Sequence, residues 1–261
     1  MPSSEVAATT ATGLVVGAGT GDNAAAALAL DLQPGDVVLS IGTSGVASAI
    51  STSPVSDPTG SVTGFADATT YFLPLVATIN AARILELQAR LLGVDHDEMA
   101  RLALDAAPGA HGLTVLPYYD GERTPNRPGA SGTWVGMTTS TTREDIARAA
   151  IEALVCSLAD AVDHLTAATG TAPRRLLLVG GAARNRAVQA IAPAVLGMPV
   201  TVPAPGEYVA LGAARQAAWA LSGAAEPPAW AAVRAETFEA ASTPLVREAY
   251  ALVRDRTTSW S

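Results

Sequence analysis

A chain of 261 residues, 49% hydrophobic and 15% charged, can bury a sizeable core as one large or two small domains and is too apolar to be disordered. Its net charge of −8 disfavours nucleic acid and anionic membrane surfaces as partners, because both reward clustered basic residues, and no cluster here exceeds Arg174-Arg175. The lone cysteine, Cys156, excludes an internal disulfide, and no apolar run reaches the ~18 residues that span a bilayer, so the cytoplasm is the default compartment.

Residues 1–12 are mostly small and polar, lack the regions of a signal peptide, and read as a loosely ordered lead-in. Gly13–Ala18 then reads as a short buried strand and Asp22–Leu32 as a helix, followed by a turn at Pro34-Gly35-Asp36. Val37–Ile41 and Val46–Ser51 form a predicted hairpin around Gly42-Thr43-Ser44-Gly45, and Ser51–Thr63 is a Ser/Thr/Pro-rich surface loop. Two short strands are predicted near Thr63–Asp67 and Tyr71–Val76. Helices follow over Ile79–Leu92, closed by Gly93, and over Asp95–Ala106. A short strand at Leu113–Leu116 precedes the longest helix, which opens at Thr142-Arg143-Glu144-Asp145 and runs to about Ala168. The last third alternates strand (Arg175–Val179), helix (Ala183–Leu196), strand (Pro199–Val202) and helix (Val209–Leu221), which implies a mainly parallel sheet with covered faces. The tail from Pro227 reads as one more helix with frayed ends.

Asp22 places one carboxylate at the start of an Ala-rich helix, directly after a glycine-rich turn. An Asp there is most often a helix cap, but Asn23 beside it and the small-residue turn about twenty residues on point to a second use. Gly42, Thr43, Ser44 and Gly45 offer backbone N–H groups and hydroxyls to phosphate oxygens. A carboxylate near a phosphate cradle suits phosphoryl transfer to a hydroxyl, where positioning and charge neutralisation dominate and the base needs no unusual pKa. Gly180-Gly181-Ala182 ends a strand and opens a helix, which is either tight packing or a bare floor for a nucleoside. There is no Walker A motif, no dinucleotide fingerprint and no Gly-x-Ser-x-Gly elbow. His96, His111 and His164 are scattered outside metal-ligand spacing and read as solvated or helix-terminal, and Cys156 reads as core.

Five stretches occur together and in order: Gly19-Thr-Gly-Asp-Asn-Ala-Ala-Ala, Leu39-Ser-Ile-Gly-Thr-Ser-Gly, Leu116-Pro-Tyr-Tyr-Asp-Gly-Glu-Arg-Thr-Pro, Val179-Gly-Gly-Ala-Ala-Arg-Asn and Gly206-Glu-Tyr-Val-Ala-Leu-Gly-Ala-Ala-Arg-Gln-Ala-Ala. In these the chain resembles the C-terminal half of the FGGY carbohydrate kinases, the xylulokinases most closely. The resemblance implies an α/β fold: the ribonuclease H-like ATPase lobe of the actin/hexokinase/Hsp70 type, a mixed sheet flanked by helices, over residues 13–261. It implies ATP with Mg²⁺ and a small sugar as ligands, with D-xylulose phosphorylated to D-xylulose 5-phosphate. Asp22 would be the general base and Asn23 would sit beside the sugar. Gly42–Gly45 would hold the β- and γ-phosphates, and Gly180, Gly181, Ala182 and Asn185 would form the adenosine pocket, with Gln189 nearby. No metal-ligating side chain is implied, and Glu122 and Arg123 would brace loops around the cleft. The family's N-terminal sugar-binding domain, with its Asp-x-Gly-Thr phosphate motif, has no counterpart in these residues. The chain is therefore expected to be inactive alone and to need a separate N-terminal lobe or a homodimer. A non-catalytic nucleotide-binding or assembly module, or a kinase for another ketose or polyol, are the alternatives.

Overall fold

The computed structural model describes residues 4–260. β1 (Val6–Thr9) and β2 (Val15–Gly17) lead into α1 (Asp22–Ala29), the hairpin β3 (Asp36–Ile41) and β4 (Gly45–Ala49), and β5 (Leu75–Thr78). Then come α2 (Ala82–Leu92), α3 (His96–Asp105), β6 (Thr114–Leu116), β7 (Thr133–Val135) and the long α4 (Arg143–Thr169). The last third runs β8 (Arg175–Val179), α5 (Arg186–Leu196), β9 (Val200–Pro203), α6 (Tyr208–Ser222), β10 (Ala235–Phe238) and α7 (Pro244–Arg256). No helix among the described residues is long and apolar enough to cross a membrane.

Six strands form one sheet in the order β10-β9-β8-β3-β4-β5. β3, β8 and β9 are parallel, while β4, β5 and β10 run antiparallel to their neighbours, so the sheet is mixed rather than mainly parallel. The sequence of β3 shows why it lies at the centre. Val37, Leu39 and Ile41 enter the larger core beneath α4, whereas Val38 enters a second core against α1. β8 repeats the pattern, with Leu176 and Leu178 on one side and Leu177 on the other. A strand buried on both faces reads as a near-continuous apolar run, as Val37-Val38-Leu39 in β3 and Leu176-Leu177-Leu178-Val179 in β8 do. Pairing puts Ser40 opposite Val179, so the carboxyl ends of β3 and β8 lie side by side. In open α/β sheets that edge is where ligands bind.

The Thr142 hydroxyl accepts from Asp145 N–H and the Asp145 carboxylate accepts from Thr142 N–H, a capping box that opens α4 at the expected residue. Burial pushes the Asp145 carboxyl up, but hydrogen bonds from Thr142 N–H, the His111 ring and the Thr142 hydroxyl outweigh it and hold the group below its ordinary value. His111 Nδ1 lies 2.6 Å from Asp145 Oδ1, so this histidine serves a helix start. Deeper in α4, Arg148 and Glu152 pair at 2.6 Å while both are buried, and Glu152 also accepts from Gly109 N–H at 3.0 Å. Burial raises the Glu152 carboxyl and the Cys156 thiol alike, so Cys156 is an inert core residue as read from the sequence.

Six elements differ from the sequence reading. β1 lies within the stretch read as a loose lead-in: Val6–Thr9 pairs with β2 across a turn in which Leu14 N–H bonds the Thr10 hydroxyl at 2.9 Å. All four β1 residues are exposed and β2 is largely so, which removes the burial signal that reveals strands and overturns the expected buried strand at Gly13–Ala18. Thr63–Asp67 forms only isolated bridges, and the strand after it shifts to Leu75–Thr78. The helix expected from Ala183 begins at Arg186, because Asn185 caps it. β10 is a short edge strand within the tail, where a helix alone was expected.

The packing of α1 on α6 positions the chain's candidate base. A methyl group at Gly212 would overlap the Ala25 carbonyl, so the Ala-rich face of α1 and the small residues of α6 bring the two backbones into contact. α6 also ties down both ends of α1. Gln216 donates to the Gly19 carbonyl at 2.9 Å before the helix, and Arg215 bonds the Leu28 carbonyl at 2.6 Å and Asp31 at 3.0 Å after it.

Candidate functional site

Two clefts open at the carboxyl edge of the sheet, one on each face, and they meet at the turn between β8 and α5. The first, of about 480 Å³, lies on the α1 side. Asp22 and Asn23 line it together with Ser40, Gly180, Gly181, Arg184 and the Glu207-Tyr208 start of α6. The second, of about 450 Å³, lies on the α2 side and is bounded by Gly42, Thr43, Leu85, Glu86, His96, Asp97 and Asn185. Gly181 and Arg184 line both.

Asp22 is not the cap of α1. That position belongs to Gly21, which has no side chain to offer, and Asp22 occupies the first turn. Its Oδ1 accepts from Asn23 N–H at 2.8 Å and from Asn23 Nδ2 at 3.3 Å. Oδ2 receives no hydrogen bond from the described residues, so one carboxylate oxygen remains available to a proton donor in the cleft. Asn23 therefore orients the carboxylate as well as lining the cleft. Tyr208 closes the far side, its hydroxyl donating to the Ala204 carbonyl, and desolvation pushes that hydroxyl above its ordinary value.

The hairpin turn divides its labour more sharply than the sequence indicates. Gly42 N–H bonds the Ser44 carbonyl at 3.1 Å, and Gly45 N–H bonds the Thr78 hydroxyl at 3.2 Å. The Gly42 and Thr43 carbonyls accept from Ala82 and Ala81 N–H at 2.9 and 3.2 Å, which anchors the turn on the start of α2. The N–H groups of Thr43 and Ser44 find no acceptor among the described residues, and both residues are exposed. Gly45 is buried, lines neither cleft, and has no room for a Cβ, which would sit 2.6 Å from Thr78 Oγ1. Its glycine serves packing. Ser44 also lines neither cleft.

The two glycines after β8 differ in the same way. Gly180 has φ +94°, and a Cβ there would lie 2.7 Å from Ile41 O and 3.0 Å from Ile41 N. Gly181 has nothing within 4 Å of a notional Cβ, so its missing side chain leaves open cleft. Ala182 lines the second cleft beside Asn185. Asn185 Oδ1 caps α5 by accepting from Ala187 and Val188 N–H at 2.9 and 3.3 Å, leaving its amide nitrogen for the cleft.

Gln189 lines neither cleft. Its amide donates to the Ala183 carbonyl at 2.9 Å, so it stiffens the turn from behind. Glu122 does brace loops, as expected: it is 1% exposed, and its carboxylate accepts from Ile79 N–H at 2.5 Å, Arg123 N–H at 2.8 Å and Asn80 Nδ2 at 3.1 Å. Arg123 does not share that role through its side chain, which is exposed and makes no bond among the described residues. Arg127 is the bracing arginine, bonded to the Arg254 carbonyl at 2.9 Å and the Thr258 hydroxyl at 2.8 Å. The sequence reading passed over Arg184, Glu207 and Tyr208, although all three lie within motifs it singled out. It read His96 as solvated or helix-terminal. His96 is indeed helix-terminal, at the start of α3, but it stands in the wall of the second cleft.

Among the described residues no cluster of three His, Cys, Asp or Glu could hold a metal by itself. The cleft walls offer hard oxygens, among them the carboxylates of Asp22, Glu207, Glu86 and Asp97 and the Thr43 hydroxyl. That set fits Mg²⁺ carried in largely by phosphate and water ligands, the usual manner of that ion.

Comparison with known proteins matches residues 37–221 to the C-terminal domain of the FGGY family of carbohydrate kinases. The chain belongs to that family. It is 46% identical over 211 residues to a xylulose kinase of Streptomyces coelicolor, covering 81% of this chain and 42% of that protein. It is 45% identical over 225 residues to a xylulose kinase of Streptomyces rubiginosus, covering 86% of this chain and 45% of that protein. Among solved structures, xylulose kinase from Bifidobacterium adolescentis superposes with a TM-score of 0.88 at 48% identity, over 97% of this chain and 52% of that one. The chain thus spans less than half the length of these two curated relatives. Family membership accounts for the mixed sheet with helices on both faces, the ATPase lobe of the actin/hexokinase/Hsp70 type that the motifs imply.

Proposed function

We propose that the chain is the nucleotide-binding, base-bearing lobe of a cytoplasmic xylulose kinase, which transfers the γ-phosphoryl group of ATP to D-xylulose and yields D-xylulose 5-phosphate. The observation that carries this reading is the meeting of the two clefts at Gly181, with Asp22 on one side and Thr43 and Asn185 on the other.

In this mechanism adenosine lies in the second cleft, on the floor made by Gly181 and Ala182 and against α2. The phosphate tail crosses the carboxyl edge of β3 and β8, where the N–H groups of Thr43 and Ser44 donate hydrogen bonds to its oxygens. Asp22 Oδ2 takes the proton of the sugar hydroxyl as the phosphoryl group arrives, with the carboxylate held in place by Asn23. Asp22 and Thr43 are the groups of this chain that would face a Mg²⁺ ion carried in with the nucleotide, which would supply neutralisation of phosphate charge. The family's remaining half supplies the opposite wall and the sugar contacts. Holding two reactants in line contributes on the order of 7–11 kcal/mol, so one wall alone turns over negligibly.

The test is to join the chain to the N-terminal lobe of a xylulose kinase and assay ATP-dependent phosphorylation of D-xylulose. Turnover by the joined protein, cut about 10²-fold or more by Asp22→Asn, is the expected result for a general base. Unchanged turnover in that variant refutes the assignment. Nucleotide binding with no turnover in the joined protein favours a non-catalytic module instead.

A further inference from the structure

The chain contains no lysine; all 16 of its basic residues are arginines. Most of these are tied down: Arg83 to Asp120, Arg148 to Glu152, Arg175 to Asp36, Arg215 to Asp31 and Arg254 to Asp160. Arg184 is different. It is exposed, and it makes no ion pair or hydrogen bond among the described residues. Among the described residues it is also the only arginine that lines either cleft, and it lines both.

Its backbone is held firmly even though its side chain is free. Arg184 ends the short 3₁₀ turn Gly181–Arg184. On either side, Gln189 bonds the Ala183 carbonyl and Asn185 caps α5. The guanidinium therefore projects from a fixed point between the clefts. The remaining charged side chains of those walls, apart from His96, are acidic: Asp22 and Glu207 in the first cleft, Glu86 and Asp97 in the second. A polyphosphate passing among four carboxylates is repelled unless a cation stands at the crossing. An arginine offers planar, multidentate donors that match phosphate oxygens.

We propose that Arg184 is the phosphate-contacting cation of this lobe, gripping the polyphosphate where it passes from the adenosine cleft to the Asp22 cleft. The assignment rests on the nucleotide reading of the clefts and adds to it a side chain to which the sequence reading gave no role. It predicts that Arg184 distinguishes nucleotides from nucleosides, because adenosine never reaches the crossing.

The experiment titrates ATP, ADP and adenosine into wild type, Arg184→Gln and Arg186→Gln by calorimetry with Mg²⁺. Arg186 is exposed at the start of α5, lines neither cleft and serves as the control for general surface charge. The expected result is that Arg184→Gln weakens ATP and ADP about 10- to 100-fold, the scale of a charge-assisted contact, and leaves adenosine unchanged. Arg186→Gln should match wild type for all three. The proposal is overturned if Arg184→Gln binds ATP like wild type, if it loses adenosine in equal measure, or if Arg186→Gln loses as much ATP affinity. A wild-type chain that binds none of the three overturns the nucleotide reading itself, and this assignment with it.

Discussion

Gly180 and Gly181 are neighbours with opposite tolerances, and replacing each by alanine separates fold from site. At Gly180 the backbone has φ +94° and ψ 176°, a region that only glycine occupies readily and that costs other residues about 1–3 kcal/mol. The added methyl would also lie 2.7 Å from O, 2.9 Å from C and 3.0 Å from N of Ile41. Those are backbone atoms of the central strand, so they cannot swing aside, and overpacking of this kind costs about 1–3 kcal/mol more. Gly180→Ala should therefore lose roughly 2–6 kcal/mol, a large part of the ~5–15 kcal/mol that holds a domain together. For a chain of this size that lowers Tm by roughly 4–24 °C. Gly181→Ala meets nothing within 4 Å and has an ordinary φ, so its stability should stay within about 0.5 kcal/mol of wild type. Urea unfolding followed by circular dichroism measures both. Equal midpoints for Gly180→Ala and wild type would refute the claim that β8 and β3 touch at this glycine.

The buried carboxylate of Glu122 accepts on both oxygens, from Ile79 and Arg123 N–H on one and Asn80 on the other. Either orientation of the amide in Glu122→Gln faces a donor with a donor, so chemical denaturation should show a loss of about 3 kcal/mol, and no loss would contradict the bracing role. Asp145 stands below its ordinary value of 3.8 in the folded chain, so its contribution is present above that value and disappears as pH falls through the lower folded value. Asp145→Asn should accordingly lose most stability relative to wild type near neutrality and progressively less below pH 3.8, measured as unfolding midpoints across pH; a pH-independent difference would refute this.

Much of the fold was legible because burial writes itself into sequence. Val37–Ile41 and Leu176–Leu178 are apolar on both faces, Gly93 and Gly170 end their helices in the left-handed conformation, and Thr142 with Asp145 marks the start of α4. β1 and β10 left no such trace, being short, exposed and placed at edges. Of the candidate site residues, Asp22, Thr43, Gly181 and Asn185 line a cleft. Individual hydrogen bonds were not legible. That Gly45 N–H is taken by Thr78, that Gln189 turns away to Ala183, and that Arg127 braces where Arg123 was expected are facts of tertiary packing. The same holds for Arg215 and Gln216, which fasten α1 from a helix nearly two hundred residues away.

The central claim is that the edge of β3 and β8 is a nucleotide site, and Gly181 tests it most directly because a side chain there enters open cleft without disturbing the fold. Calorimetry of ATP and ADP with Mg²⁺ on wild type and Gly181→Asp should show binding in the range of about 1 μM to 1 mM for wild type and none for the variant. Equal binding by both proteins, or none by wild type, would contradict it.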